Sequence, residues 1–204
     1  TPVRTLDEVL AVCRFMAAFK GPWWIAGGWA ADVWVGRPSR EHEDIEIGVL
    51  RTDQAALHAL CADWEWFTPV NDQWAPLPDG DLLNPPRFML QLRRTPTTAV
   101  PIHGMPPEFE LLLNEVEGDE WYFSRDRSVH LPLTRVYGPS PLGVPVVAPE
   151  ILLLHKPRQR GRRPKDEHDF KLLRAHMSTD QRSWLREQFE RLRPDDPWLP
   201  RLLS

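Results

Sequence analysis

Long hydrophobic runs, clustered cysteines and an excess of positive charge are all absent from this chain of 204 residues. The longest apolar stretches, such as residues 151–154, are far shorter than the ~18 residues that suggest a membrane span. Cys13 and Cys61 stand alone, which argues against a disulfide framework or a structural zinc site. Because 25 Lys and Arg face 29 Asp and Glu, the chain lacks the basic footprint of a general nucleic-acid-binding protein.

A secretory signal is also missing, since no basic segment is followed by an apolar one and a small-residue cleavage site. We therefore expect a cytoplasmic protein without a membrane partner. About 200 residues are enough for one substantial core, with at most a small appendage. Proline and tryptophan are in excess, with 22 and 10 residues. The prolines concentrate in residues 69–107 and 132–164, where loops that specify a substrate are expected.

Periodicity and turn residues predict an alternation of strands and helices in the first part of the chain. Thr5 and Glu8 form a capping box at the start of a helix, and residues 44–49 alternate acid and aliphatic side chains as a half-buried strand does. Residues 108–115 and 120–123 read as a hairpin. Further predictions are a helix ending near residue 19, strands at 23–26, 88–92 and 144–147, and helices at 29–34 and 54–66, with loops in most of 69–107.

The last quarter of the chain reads as helical. Pro149 and Glu150 open a helix that runs through Leu154, and two more helices are predicted over residues 165–176 and 179–192. The organisation predicted is therefore an α/β or α+β domain over residues 1–148, followed by a C-terminal helical region over residues 149–204.

Asp44 and Glu46 are the first candidates for chemistry. Two carboxylates at positions i and i+2 of a strand point to the same face, where like-charge repulsion opposes ionisation of both unless a cation lies between them. Mg²⁺ prefers such hard oxygen ligands and bridges them to phosphates. The alternative is the solvated face of an edge strand.

Gly27 and Gly28 provide a second candidate site. A strand that ends in paired glycines at a helix N-terminus leaves backbone N–H groups uncovered for an anion. A plain tight turn is the alternative. The P-loop and the dinucleotide-binding fingerprint are both absent. An anion-binding turn followed by a strand with paired carboxylates is an economical arrangement for a metal–nucleoside triphosphate.

Residues 24–32 (WIAGGWAAD) and 40–47 (REHEDIEI) resemble the signature of small nucleotidyltransferases in the DNA polymerase β superfamily. The similarity is greatest to aminoglycoside 2''-adenylyltransferases and lincosamide nucleotidyltransferases. It is specific over residues 23–50 and looser around residues 150–156 and 163–170. The resemblance implies an α+β fold with a mixed sheet flanked by helices, two Mg²⁺ ions, and transfer of a nucleoside monophosphate, AMP from ATP, to a hydroxyl group.

The resemblance also implies roles for three acids. Asp44 and Glu46 match the metal-binding pair. Glu110 is chosen as the third carboxylate, a metal ligand or the base on the acceptor hydroxyl, because an acid in an otherwise apolar strand is costly to bury unpaired. Glu108 and Glu115 are its competitors. Many relatives have Asp where this chain has Glu46, so a catalytically silent protein is an alternative.

Residues 156–165 carry six positive charges, and the resemblance favours Lys156 and Lys165 near the triphosphate, where cations offset charge that develops in phosphoryl transfer. Arg40 is a candidate for a phosphate contact or for a surface ion pair with Glu41 or Glu43.

Two acids and a histidine are interpreted structurally. Asp166 and Asp169 are expected to stabilise the N-terminus of their helix. His42 is interpreted as a structural histidine, with orientation of the acidic strand as its alternative role.

The acceptor is expected to be a small polar molecule, such as an aminoglycoside or a lincosamide, bound between the two parts of the chain. Trp64, Trp66, Trp74 and Trp121 are candidates to line that cleft. The alternative function is a catalytically weak or silent protein of the same fold that binds protein or RNA as a regulatory or toxin–antitoxin-type partner. Nucleic acid is not an expected partner of the enzyme.

Overall fold

Six helices and ten strands form the regular structure of residues 3–97, 102–156 and 163–202, the part of the chain that this computed structural model describes. The helices are α1 (Leu6–Met16), α2 (Gly27–Val35), α3 (Gln54–Leu60), α4 (Pro149–His155), α5 (Pro164–Arg174) and α6 (Thr179–Leu192). The strands are β1 (Trp23–Ile25), β2 (Glu46–Leu50), β3 (Trp64–Val70), β4 (Gln73–Pro76), β5 (Met89–Arg94), β6 (Glu108–Glu117), β7 (Glu120–Tyr122), β8 (His130–Pro132), β9 (Tyr137–Pro139) and β10 (Pro145–Val147).

The strands form one mixed sheet in the order β4-β3-β5-β6-β2-β1-β10-β9. β2 lies at its centre, parallel to β6 and antiparallel to β1. The long strand β6 continues beyond this sheet to pair with β7, which in turn pairs with β8. The predicted α+β class with a mixed sheet is therefore confirmed, and the predicted hairpin between β6 and β7 is present.

Local sequence explains the elements that build the site. Thr5 and Glu8 form the predicted capping box of α1, whose apolar residues are buried against the sheet. Along β6 the side chains of Phe109, Leu111 and Leu113 are buried, while the intervening residues face the opposite side. This period-two pattern turns Glu110 away from the apolar core.

The region after residue 53 differs from the prediction. α3 ends at Leu60, and residues 64–66, predicted as its continuation, begin strand β3. Trp64, Trp66 and Thr68 are buried on one side of that strand, because alternating aromatic side chains fit a pleated surface that pairs with β5. Trp64 and Trp66 are therefore core residues and do not line a cleft.

Residues 69–107 are also more regular than predicted. β4 was not foreseen, and β5 is a six-residue strand in the interior of the sheet. The many prolines fall between these strands and at their ends, where a missing N–H does not interrupt the ladder. Residues 98–101 lie outside the described part of the chain.

The C-terminal helices cover one side of the sheet next to α2. Six of the seven residues of α4 are buried, and α4 contacts both α2 and α6 while α5 contacts α2. The boundaries of α6 agree with the prediction, and those of α4 and α5 differ from it by one or two residues. No helix in the described ranges is long and apolar enough to cross a membrane.

Candidate active site

The glycine turn joins β1 to α2 and lies directly against Glu46. Gly27 has φ +59°, which favours glycine, and a Cβ on it would lie 1.4 Å from Glu46 Oε2. The backbone N–H of Gly28 donates a hydrogen bond to the Glu46 carboxylate. The N–H of Ala26 donates to the Glu46 carbonyl oxygen at 2.8 Å. The two sequence motifs are thus brought into direct contact at the N-terminus of α2.

The three predicted acids lie at or near the N-terminal ends of the neighbouring strands β2 and β6. Glu46 begins β2 and is paired in register with Glu110 on the parallel strand β6, so both side chains leave the same face of the sheet. Asp44 precedes β2 and lines the same cleft as Glu46. Gln91 Nε2 donates to Glu110 Oε1 at 3.4 Å. Glu108 instead accepts from Arg4 at 3.1 Å.

The convergence of acids is visible in their pKa values. Burial and then the charge of Asp44 raise the pKa of Glu46 to about 7, against the opposing effects of Lys156 and the Gly28 N–H. Burial and then the charges of Glu46 and Asp44 raise the pKa of Glu110 to about 8. Because the neighbouring carboxylates add to the effect of burial in both cases, a cation between these acids would favour their charged forms.

Asp44 and Glu46 fit a divalent ion by chemistry, because their oxygens are the hard ligands that Mg²⁺ prefers. Within residues 3–97, 102–156 and 163–202, no group of three or more His, Cys, Asp or Glu side chains is arranged to hold a metal ion. A Mg²⁺ held through one or two carboxylates takes its other ligands from water and substrate phosphates. That Glu110 is also a ligand stays a prediction.

A buried ion-pair cluster lies beside the glycine turn. Asp169, whose side chain is fully buried, accepts two hydrogen bonds from Arg40 at 2.8 and 2.9 Å and one from Lys156 Nζ at 2.5 Å. Asp166 accepts from Arg163 at 2.9 and 3.0 Å. We call these five residues the charge cluster; its three cations all line the cleft.

The charge cluster corrects two interpretations from the sequence. Arg40 pairs with the buried Asp169 instead of with Glu41 or Glu43, although it also donates to the Glu41 carbonyl oxygen at 3.0 Å. Asp169 does more than stabilise its helix N-terminus, since it connects residues from three separate segments. Asp166 has the expected role, because its side chain accepts a hydrogen bond at 3.3 Å from the backbone N–H of Arg163, the N-cap residue of α5.

Lys165 is exposed and lines the cleft, and its charge lowers the pKa of Glu46. Lys156 lines the same cleft, and that the two lysines bind the triphosphate stays a prediction. Residues 157–162 of the basic stretch fall outside the described part of the chain.

His42 is held by Asp32, a residue that the sequence did not single out. Its Nε2 lies 2.7 Å from Asp32 Oδ2, and its ring stacks on Trp29 at 4.4 Å. Asp32 also accepts from Ser39. The structural interpretation of His42 agrees with this buried arrangement, which fixes the chain two residues before Asp44.

The cleft has a volume of about 520 Å³. One wall of the cleft consists of Asn114, Trp121, Tyr122, Ser124, Arg125 and His155. Of these, His155 lies in a segment that the resemblance covers, and Trp121 was a candidate for the cleft. Trp121 Nε1 donates to Asn114 Oδ1 at 2.9 Å. Burial, followed by the charges of Arg125 and Arg193, lowers the pKa of His155 to about 3, so its ring is neutral at neutral pH. This wall is largely uncharged.

A second cavity of about 260 Å³ adjoins the acids from the other side. Its lining includes Trp74, four acids and two arginines: Glu43, Asp44, Glu108, Glu110, Arg4 and Arg93. Of the four tryptophans considered from the sequence, Trp121 and Trp74 therefore line cavities next to the acids.

Comparisons with known proteins identify the fold. A family model described as aminoglycoside-2''-adenylyltransferase matches residues 8–69, the segment that contains the glycine turn, Asp44 and Glu46. The structure of the lincosamide antibiotic adenylyltransferase LnuA with bound lincomycin has a TM-score of 0.58 and 14% identity, covering 86% of this chain and 100% of that chain. The chain has the nucleotidyltransferase fold.

Two further structures of this fold are those of ANT(2'')-Ia. The complex with adenylyl-2''-tobramycin has a TM-score of 0.54 and 14% identity, covering 91% of this chain and 95% of that chain. The solution structure has a TM-score of 0.53 and 14% identity, covering 90% and 91%. A search of curated protein sequences finds no match. The resemblance and the fold class are confirmed.

Proposed function

We propose that this nucleotidyltransferase moves AMP from ATP to a hydroxyl group of a small polar acceptor, with Mg²⁺ as its cofactor. The observation that carries the proposal is the register of Glu46 with Glu110, next to Asp44 and against the glycine turn at the start of α2. Carboxylates that can hold a cation and backbone N–H groups that can hold a phosphate thus meet in one cleft.

The three acids have two roles in the proposed reaction. Asp44 and Glu46 hold Mg²⁺, which when bound offsets negative charge on the phosphates. Glu110 is the general base, and its raised pKa of about 8 makes it a stronger proton acceptor than an ordinary carboxylate. It takes the proton of the acceptor hydroxyl, whose oxygen bonds to the α-phosphorus. The bond from that phosphorus to its bridging oxygen breaks, and pyrophosphate leaves.

The phosphate side of the cleft is formed by Gly27, Gly28 and the cations. Lys156 and Lys165 line the cleft with Arg40, and their charges stabilise the negative charge that develops on the leaving pyrophosphate. The charge cluster fixes Arg40 and Lys156 in position through Asp169.

The cavity beside Glu110 supports an acceptor that carries an amino group. Glu43 lines this cavity together with Trp74, so an ammonium group finds a carboxylate there and a sugar ring finds an aromatic wall, whereas Glu108 is already paired with Arg4 and Arg93. Aminoglycosides and lincosamides, the compound classes named for the matching family and for LnuA, are the acceptors to examine first.

The proposal is tested by following pyrophosphate release with ATP, Mg²⁺ and a panel of aminoglycosides and lincosamides. Turnover is expected with at least one acceptor. Replacement Glu110→Gln should lower kcat by about 100-fold or more, because general base catalysis contributes at least that much. Glu117→Gln, at the exposed end of the same strand, should leave kcat unchanged. Absence of turnover with all acceptors, or turnover that survives Asp44→Asn, would contradict the proposal.

The alternative of a catalytically silent binding protein is not favoured. Burial, and then the charges of neighbouring carboxylates, raise the pKa values of Glu46 and Glu110, and a cation bound between the acids would offset this cost in an active enzyme. Glu46 in place of Asp, the observation that prompted the alternative, has a structural role of its own.

A further inference from the structure

Glu46 lies where the glycine turn would hold an anion. Its Oε2 is 1.4 Å from the position of a Cβ on Gly27, and its carboxylate accepts the hydrogen bond of the Gly28 N–H. Ala26, the N-cap residue of α2, makes no side-chain cap, and the first turn of α2 contains no acid. The carboxylate that satisfies the start of this helix therefore comes from a neighbouring strand.

We propose that Glu46 is an internal occupant of the anion-binding turn and that a polyphosphate must displace its carboxylate to reach the Gly28 N–H. The proposal rests on the function proposed above and adds a second role for Glu46 beside that of a metal ligand. The Glu46 carboxylate and the polyphosphate compete for the Gly28 N–H at the N-terminus of α2, because one N–H cannot donate a full hydrogen bond to both anions.

Side-chain length decides this contact. A carboxylate one methylene shorter on the same backbone position ends about an ångström or more short of the place that Glu46 reaches, since a C–C bond is about 1.5 Å long. The backbone position is fixed independently, because the Glu46 carbonyl accepts from the Ala26 N–H and β2 is paired on both sides. The replacement Glu46→Asp therefore keeps the charge and removes the contact.

The surroundings supply a place for the displaced carboxylate. Lys156 and Lys165 both act on Glu46 by their charge, and both line the cleft. A polyphosphate that enters the cleft competes with the Glu46 carboxylate for the same cations. Its binding is therefore weaker than it would be at a glycine turn that no carboxylate occupied.

Calorimetric titration with inorganic tripolyphosphate in the presence of EDTA tests the proposal without turnover. The variant Glu46→Asp should bind tripolyphosphate at least fivefold more tightly than wild type, because the N–H is released while the net charge is unchanged. The matched control Glu41→Asp makes the same change at an exposed acid of the same cleft and should bind as wild type does. Circular dichroism establishes that both variants are folded.

Three outcomes are distinguishable. Tighter binding by Glu46→Asp alone supports the proposal. Equal or weaker binding by that variant, or an equal gain in Glu41→Asp, overturns it while leaving the proposed reaction in place. No binding of tripolyphosphate to either wild type or Glu46→Asp also overturns it, and lack of ATP binding with Mg²⁺ in addition would overturn the proposed function itself.

Discussion

Replacement of Glu150 by glutamine is expected to stabilise the protein at alkaline pH. Glu150 lies in the first turn of α4 and is 2% exposed. Its side chain shares a hydrogen bond with Gln181, but its Oε2 is buried without a partner. Burial raises the pKa of Glu150 from 4.5 to about 7, even though its own backbone N–H, Arg135 and Gln181 favour the charged form.

The sign follows from proton binding. Between pH 4.5 and about 7 the folded protein holds a proton on Glu150 that the unfolded chain has lost, so the free energy of unfolding falls as pH rises. Each pKa unit corresponds to about 1.4 kcal/mol, and the shift from 4.5 to about 7 therefore costs the folded state about 3 kcal/mol at pH 8. Below pH 4 both states are protonated, and this cost disappears.

Urea unfolding of wild type and Glu150→Gln, followed by far-UV circular dichroism at pH 5 and pH 8, measures the difference. The variant should gain about 3 kcal/mol relative to wild type at pH 8 and much less at pH 5. The control is Glu187→Gln. Glu187 is an exposed acid that lines a surface cavity together with Glu150, and its replacement should show no such pH dependence. A difference between the two proteins that stays constant from pH 5 to pH 8, or a loss of stability at pH 8, would refute the assignment of a costly buried carboxylate.

Gly48→Ala should destabilise the fold by about 1–3 kcal/mol through overpacking, because a Cβ there would lie 2.1 Å from Trp24 Nε1. The control Gly138→Ala, whose Cβ would meet nothing within 4 Å, should leave stability unchanged. Thermal unfolding compares the two variants, and equal melting temperatures would contradict the packing argument. Asp169→Asn should lower the free energy of unfolding by about 3–5 kcal/mol, because it removes one partner of a buried ion pair and leaves Arg40 without that counter-charge. Urea unfolding measures this change. A loss below about 1 kcal/mol would mean that solvent screens the pair.

The part of the site that could be predicted is local in sequence. The glycine turn, Asp44 and Glu46 lie within one short stretch whose pattern specifies both geometry and chemistry, and Glu110 stood out because it interrupts an apolar strand. Strand pairing then needed only the expected topology to bring Glu110 into register with Glu46.

The rest of the site depends on contacts between distant segments. Asp169 looked like an ordinary helix N-terminal acid, and only the packing of α5 beside α2 reveals that it binds Arg40 and Lys156. Residues 64–66 were assigned to a helix because the helical pattern before them continues, while their strand pairing with β5 is decided by the sheet. Intrinsic preference for a strand is weak compared with that context.

The charge cluster joins residues from the two parts of the chain. Arg40 comes from the segment that leads into the sheet, whereas Lys156 and Asp169 come from the C-terminal helical region. A fragment ended at residue 148 would keep the carboxylates for the cation and lose Lys156, Arg163 and Lys165 together with the counter-ion of Arg40. The cleft therefore takes the carboxylates of Asp44 and Glu46 from the first stretch and most of its cations from the second.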